Sequence, residues 1–135
     1  MDSQQPTSRA LVVDDEAAIL IFAERTLRDA GYEVVLASDG PEALRLVAVQ
    51  PRFDVFVVDV LMPRMSGDEL ARRLRQMDPD VKVLCCTGYS DRLFKGKLAL
   101  WEHEASVDKP VSGTGLREAV SLLLFGHTDG PETEP

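Results

Sequence analysis

The sequence predicts a single α/β domain built on a doubly wound, five-stranded parallel sheet. Three observations predict it. Short apolar runs rich in β-branched residues recur at 10–13, 32–38, 55–58, 81–86 and 105–107, and stretches of helical character alternate with them. Strands separated in this way pair in parallel, because each connection must cross over the sheet and crossovers are right-handed. The chain has 135 residues, 44% of them hydrophobic, which furnishes one core and no second domain.

Residues 1–8 are polar, include Pro6, and are expected to form a flexible arm ahead of a folded unit at 9–125. The first strand, 10–13, stops at Asp14, Asp15 and Glu16. Acids suit the first turn of the next helix, where they meet the positive end of its dipole. That accounts for Glu16 and one aspartate, but not for two carboxylates ahead of the helix. Helix 17–30 places Leu20, Ala23, Leu27 and Ala30 on one face and closes at Gly31. Ile19 and Phe22 share a second edge, which is either part of a wide buried stripe or a partly exposed surface.

Strand 32–38 turns at Gly40 into helix 41–49, which opens on a permissible proline. Strand 55–58 delivers Asp59 at its carboxyl end, ahead of a loop with Pro63 and Gly67. Helix 68–77 turns Leu70 and Leu74 inward and leaves Arg72, Arg73 and Arg75 solvated. Strand 81–86 breaks at Thr87 and Gly88. A helix at 91–101 is weakened by Gly96, at roughly 1 kcal/mol relative to Ala. Strand 105–107 leads to Asp108, Lys109 and Pro110, a helix spans 116–124, and 126–135 is expected to be a flexible polar tail.

A net charge of −8 and a pI near 4.7 argue against binding nucleic acid by neutralising phosphates. The first nine residues lack the apolar core of a signal peptide, and no apolar run is long enough to span a bilayer, so a cytoplasmic protein is expected. Cys85 and Cys86, adjacent in a strand, suit buried small hydrophobes rather than a disulfide or a metal knuckle.

In a doubly wound sheet a ligand site lies beyond the carboxyl ends of the strands. Asp14, Asp15, Asp59, Thr87 and Lys109 all end strands, so the topology gathers them at one edge. Three carboxylates about 4 Å apart repel by roughly 4 kcal/mol per pair at an effective dielectric near 20, and so require a cation or a proton. Oxygen donors without histidine suit Mg2+, which commonly shares a phosphate. With Thr87 as a hydroxyl donor and Lys109 as a compact charge, the set suits phosphoryl transfer onto the Asp59 carboxylate.

Asp14-Asp15, the run from Asp59 through Pro63 to Gly67, Thr87-Gly88 and Lys109-Pro110, in this order and spacing, resemble the receiver domain of two-component response regulators over residues 9–125. The resemblance implies a flavodoxin-like (βα)5 fold with strand order 2-1-3-4-5. It implies that Asp59 takes a phosphoryl group from a histidine kinase or a histidine phosphotransfer protein, in a Mg2+-dependent reaction that the domain itself catalyses together with slow dephosphorylation. Asp15 and Asp59 would ligate the metal directly, Asp14 through water and Leu61 through its backbone carbonyl. Thr87 and Lys109 would hold the phosphoryl group, beside a cis Lys109-Pro110 bond. Ile19, Phe22, Pro110 and Val111 would contact the phosphodonor. Receivers often carry an aromatic residue three positions before the strand-five lysine, whose rotation reports the state of the threonine. Here Ser106 stands there, and Tyr89, two residues after Thr87, is the alternative reporter.

The phosphorylated state would change partner binding or serve as a phosphate relay or sink. The polar tail leaves no expected output domain. Met1 and that tail favour a stand-alone protein, whereas Thr87-Gly88-Tyr89-Ser90-Asp91 resembles the corresponding loop of hybrid kinases. The rival reading within the fold is a pseudo-receiver that binds partners without phosphorylation. An Asp-nucleophile phosphatase would need its second acid two residues on, and a flavin carrier would need a phosphate loop where this chain has acids.

Overall fold

A computed structural model describes residues 7–87, 104–108 and 112–126. Strands β1 (Arg9–Val13), β2 (Glu33–Ala37), β3 (Val55–Asp59) and β4 (Val83–Thr87) form a parallel sheet in which β1 lies between β2 and β3, and β4 flanks β3. The backbone at Glu104–Asp108, β5, pairs in parallel with β4. Helices α1 (Ala17–Asp29), α2 (Gly40–Val49), α3 (Gly67–Met77) and α4 (Gly113–Phe125) complete the described elements. The helix expected at 91–101 lies outside the described residues.

Alternation along the strands divides the interior into two cores. Leu11, Val13, Phe56, Val58, Val83 and Cys85 face Ala43 of α2 and Leu70, Ala71 and Leu74 of α3. Ala10, Val12, Val55, Val57, Leu84 and Cys86 face Ala23 and Leu27 of α1 and Leu116 and Val120 of α4. Each fully buried leucine stabilises the fold by about 2 kcal/mol. Every residue of β3 is buried, as a central strand covered on both faces requires. Cys85 and Cys86 form no disulfide and are buried on opposite faces, as small core residues.

Side-chain caps set three helix starts. Asp39 accepts from the Glu42 amide at 2.8 Å, and Glu42 in turn accepts from the Ser38 amide at 2.7 Å, so α2 begins at Gly40 where a turn was expected. Ser66 accepts from the Glu69 amide at 3.1 Å and opens α3. Ser112 accepts from the Gly115 amide at 2.9 Å, so α4 starts three residues before the expected Leu116. Val81 is buried but precedes β4, because its amide bonds back to the Asp78 carbonyl at 3.0 Å as the chain leaves α3. On α3, Glu69 accepts from both Arg73 and Arg72, which hold its carboxyl below the usual range.

At the amino-terminal edge of the sheet Arg9 ties four segments together. Its guanidinium lies 4.4 Å from the centre of the Phe53 ring, donates to Gln50 Oε1 at 2.9 Å and pairs with Glu33 at 3.2 Å. Its backbone amide donates to Asp54 at 2.7 Å. These contacts tie the amino-terminal edge together, and the opposite edge carries the acidic residues.

Candidate functional site

Asp14 directly follows β1, and its amide donates to the Ala37 carbonyl of β2 at 3.2 Å. Its Oδ1 accepts from the Glu16 amide at 2.9 Å, which turns the chain into α1. That bond explains the acid ahead of the helix, which dipole complementarity left over. Asp59 ends β3 opposite Cys86 of β4. Asp14 is 2% and Asp59 5% exposed, whereas Asp15 lies open to solvent. One carboxylate oxygen from each of the three lies within 4.8 Å of the others. The strand ends thus bring together the three acids read from the sequence.

Loop geometry behind Asp59 is equally specific. The Gly67 amide donates to the Val60 carbonyl at 2.7 Å, and the Val60 amide donates to the Cys86 carbonyl at 3.3 Å. A Cβ on Gly67 would overlap the Asp59 carbonyl oxygen and lie 2.9 Å from Val60 Cα. Glycine at the start of α3 is what lets the loop fold back against β3. Leu61 sits in this loop, 45% exposed, and Arg64 at its apex has a positive φ of 69°.

Thr87 ends β4 in register with Asp108, and Ser106 pairs with Cys85. The backbone therefore brings Thr87 to the edge that carries Asp59. Lys109, Pro110, Val111 and Tyr89 lie outside the described residues. On α1, Ile19 and Phe22 are half-buried, Phe22 packing against the core shared with α4, while Ile21 is the large apolar residue left exposed at 50%. The edge read from Ile19 and Phe22 is thus partly covered.

At 4.8 Å two unit charges repel by about 3.5 kcal/mol at an effective dielectric near 20, so three ionised carboxylates at that spacing favour a divalent cation. The donors are all hard oxygens, two of them recessed and one open to water. This set fits Mg2+, which keeps waters and takes few protein carboxylates.

The family model for the response regulator receiver domain matches residues 10–121. The chain belongs to this family. Its receiver is 34% identical over 119 residues to the sensor kinase CckA of Brucella abortus, a match covering 87% of this chain and 13% of that protein. It is 46% identical over 83 residues to the transcriptional regulatory protein PrrA of Mycobacterium tuberculosis, covering 62% of this chain and 35% of that one. The chain thus spans only a minor part of these curated relatives. Among solved structures, the response regulator TrrA of Thermotoga maritima, in complex with Mg(2+)-BeF, superposes with a TM-score of 0.77 at 34% identity, covering 87% of this chain and all of that one. Receiver neighbours of this kind share the parallel α/β fold. Among the described residues no helix is long and apolar enough to cross a membrane.

Asp39, Arg64 and Ser112 escaped the sequence reading. The Ser38-Asp39…Glu42 spacing is a legible capping signal, but nothing local marks Arg64 as adopting a positive φ.

Proposed function

We propose that this receiver is a phosphoacceptor in two-component signalling, with Asp59 as the residue modified. The observation that carries the reading is the convergence of Asp14, Asp15 and Asp59 within 4.8 Å at the carboxyl edge of a parallel sheet. An Asp59 carboxylate oxygen attacks the phosphorus of a phosphohistidine on a histidine kinase or phosphotransfer protein. The new O–P bond forms as the P–N bond breaks, and the electron pair returns to the imidazole nitrogen. Asp15, Asp59 and the Leu61 carbonyl would hold Mg2+, and Asp14 would act through water. When bound, the metal neutralises charge on the phosphoryl oxygens. Thr87 and Lys109 clamp the phosphoryl group once it is transferred.

The same reading completes the fold as a flavodoxin-like (βα)5 domain at 9–125 with order 2-1-3-4-5, supported by the parallel pairing of β4 with Glu104–Asp108. It places the donor against Ile19 and Phe22 of α1 with Pro110 and Val111, and the protein in the cytoplasm. Ser106 cannot bury and release a ring, so Tyr89 reports the state of Thr87. Incubation with acetyl phosphate and Mg2+ followed by intact mass tests the reading. A single added phosphoryl group that chelation or Asp15→Asn abolishes is the expected result, and no addition to the wild type refutes it.

A further inference from the structure

Between Asp59 and Gly67 the loop makes an uncommon turn. The Met65 amide donates to the Pro63 carbonyl at 2.8 Å, around an Arg64 whose φ is 69°. A bond spanning only two residues, with a positive φ at its centre, belongs to the rare and strained kind of γ-turn. Arg64 is long, has a Cβ and gains nothing intrinsic there, so surrounding structure must hold it.

Two contacts do so, both to the start of α2. Arg64 Nη1 lies 2.9 Å from Asp39 Oδ2. Met65 is laid over the backbone of Gly40: a Cβ on Gly40 would lie 2.7 Å from Met65 Sδ and 2.9 Å from Met65 Cβ. Asp39 uses its two oxygens for different tasks, since Oδ1 caps α2 at the Glu42 amide while Oδ2 takes the arginine. One carboxylate thus fixes the helix start and the loop apex together. At its other end the loop is pinned to the site by the Val60 and Gly67 amides. The backbone between these pins includes Leu61.

We propose that the Asp39–Arg64 pair is a positioning device for the acidic site: it holds the strained Pro63-Arg64-Met65 turn so that the loop after Asp59 is preset for Mg2+. This rests on the phosphoacceptor reading. Asp39 and Arg64 touch neither metal nor phosphate, and act through the loop backbone.

Three variants of the full chain separate this role from general support. Asp39→Asn keeps an oxygen to cap α2 but loses the charge that holds Arg64. Arg64→Ala loses the strap and still forces a Cβ through the positive φ. Arg64→Gly loses the strap but takes that φ without strain. Mg2+ affinity by calorimetry, hydrogen exchange of the Met65 amide and thermal melting are the readouts. In Asp39→Asn and Arg64→Ala, Mg2+ binding is expected to weaken about threefold, the scale of a surface ion pair, with several-fold faster exchange at Met65. Asp39→Asn should melt close to the wild type, and Arg64→Gly should regain most of the wild-type affinity. Wild-type affinity in Asp39→Asn and Arg64→Ala, or an Arg64→Gly as weak as Arg64→Ala, overturns the proposal. A wild type that binds no Mg2+ instead refutes the phosphoacceptor reading, and the Met65 exchange still shows whether the strap holds the turn.

Discussion

Gly67→Ala should couple fold stability to the site. The residue has no positive φ, so alanine meets no dihedral penalty there, and as a better helix former it contributes up to about 1 kcal/mol at the start of α3. Against this stands contact. The new methyl would overlap the Asp59 carbonyl oxygen and lie 2.9 Å from Val60 Cα and 3.0 Å from the Asp59 carbonyl carbon. All three are backbone atoms of the central strand and its exit, which no rotamer change can move aside. Overpacking of this kind costs about 1–3 kcal/mol, and rigid backbone partners favour the upper end, so a net loss of about 2 kcal/mol is expected. For a domain of this size that lowers the melting temperature by about 6–10 °C. Because the displaced atoms carry Asp59, Mg2+ affinity should fall as well. Gly31→Ala supplies the contrast: its φ of 99° makes alanine strained, yet nothing lies within 4 Å and the site is untouched, so stability should fall while Mg2+ binding holds. Thermal melts paired with Mg2+ titration decide it. A Gly67→Ala that melts at or above the wild type and binds metal normally would refute the close-approach argument.

Two further outcomes concern stability alone. Arg9→Ala removes the stacking on Phe53 and the bond to Gln50 together, and should cost about 2 kcal/mol in urea denaturation. Arg9→Lys should restore little of it, since an ammonium cannot stack and fork at once; full rescue would show that charge alone matters. Burial pushes the Tyr32 phenol above its ordinary value of 10.0. A raised folded-state pKa means that the stabilisation is complete below the unfolded value and is lost as pH rises through the folded one. Melting temperature should therefore fall as pH climbs beyond about 10, and less steeply in Tyr32→Phe than in the wild type; identical alkaline slopes would remove Tyr32 as a cause.

Much of the architecture was legible because each strand is an apolar run cut off by a polar residue. Val55–Asp59 and Asp14-Asp15 announce both the sheet and its acidic edge in the same few letters. Helix starts were less legible, since they depend on one side-chain bond. Gly113 and Gly115 are poor helix formers and the last helix was expected only from Leu116, yet the Ser112 cap and the burial of Leu116 and Val120 outweigh that poor propensity. Gly40 reads as a turn for the same reason, and the Asp39 cap makes it helical. Arg64 was not legible at all: its positive φ follows from Asp39, 25 residues away, and from Met65 lying on Gly40. On α1, periodicity alone left Ile19 and Phe22 undecided between core and surface. Phe22 packs into the core shared with α4 and Ile19 is half-buried, while Ile21 is left exposed.

The most direct test of Asp59 as phosphoacceptor is to locate the modification. After incubation with acetyl phosphate and Mg2+, borohydride reduction converts an aspartyl phosphate to homoserine, and peptide mapping reads the position. Homoserine at position 59, absent from Asp59→Asn, is the expected result. A phosphoryl group mapped to another residue, or labelling undiminished in Asp59→Asn, would contradict it.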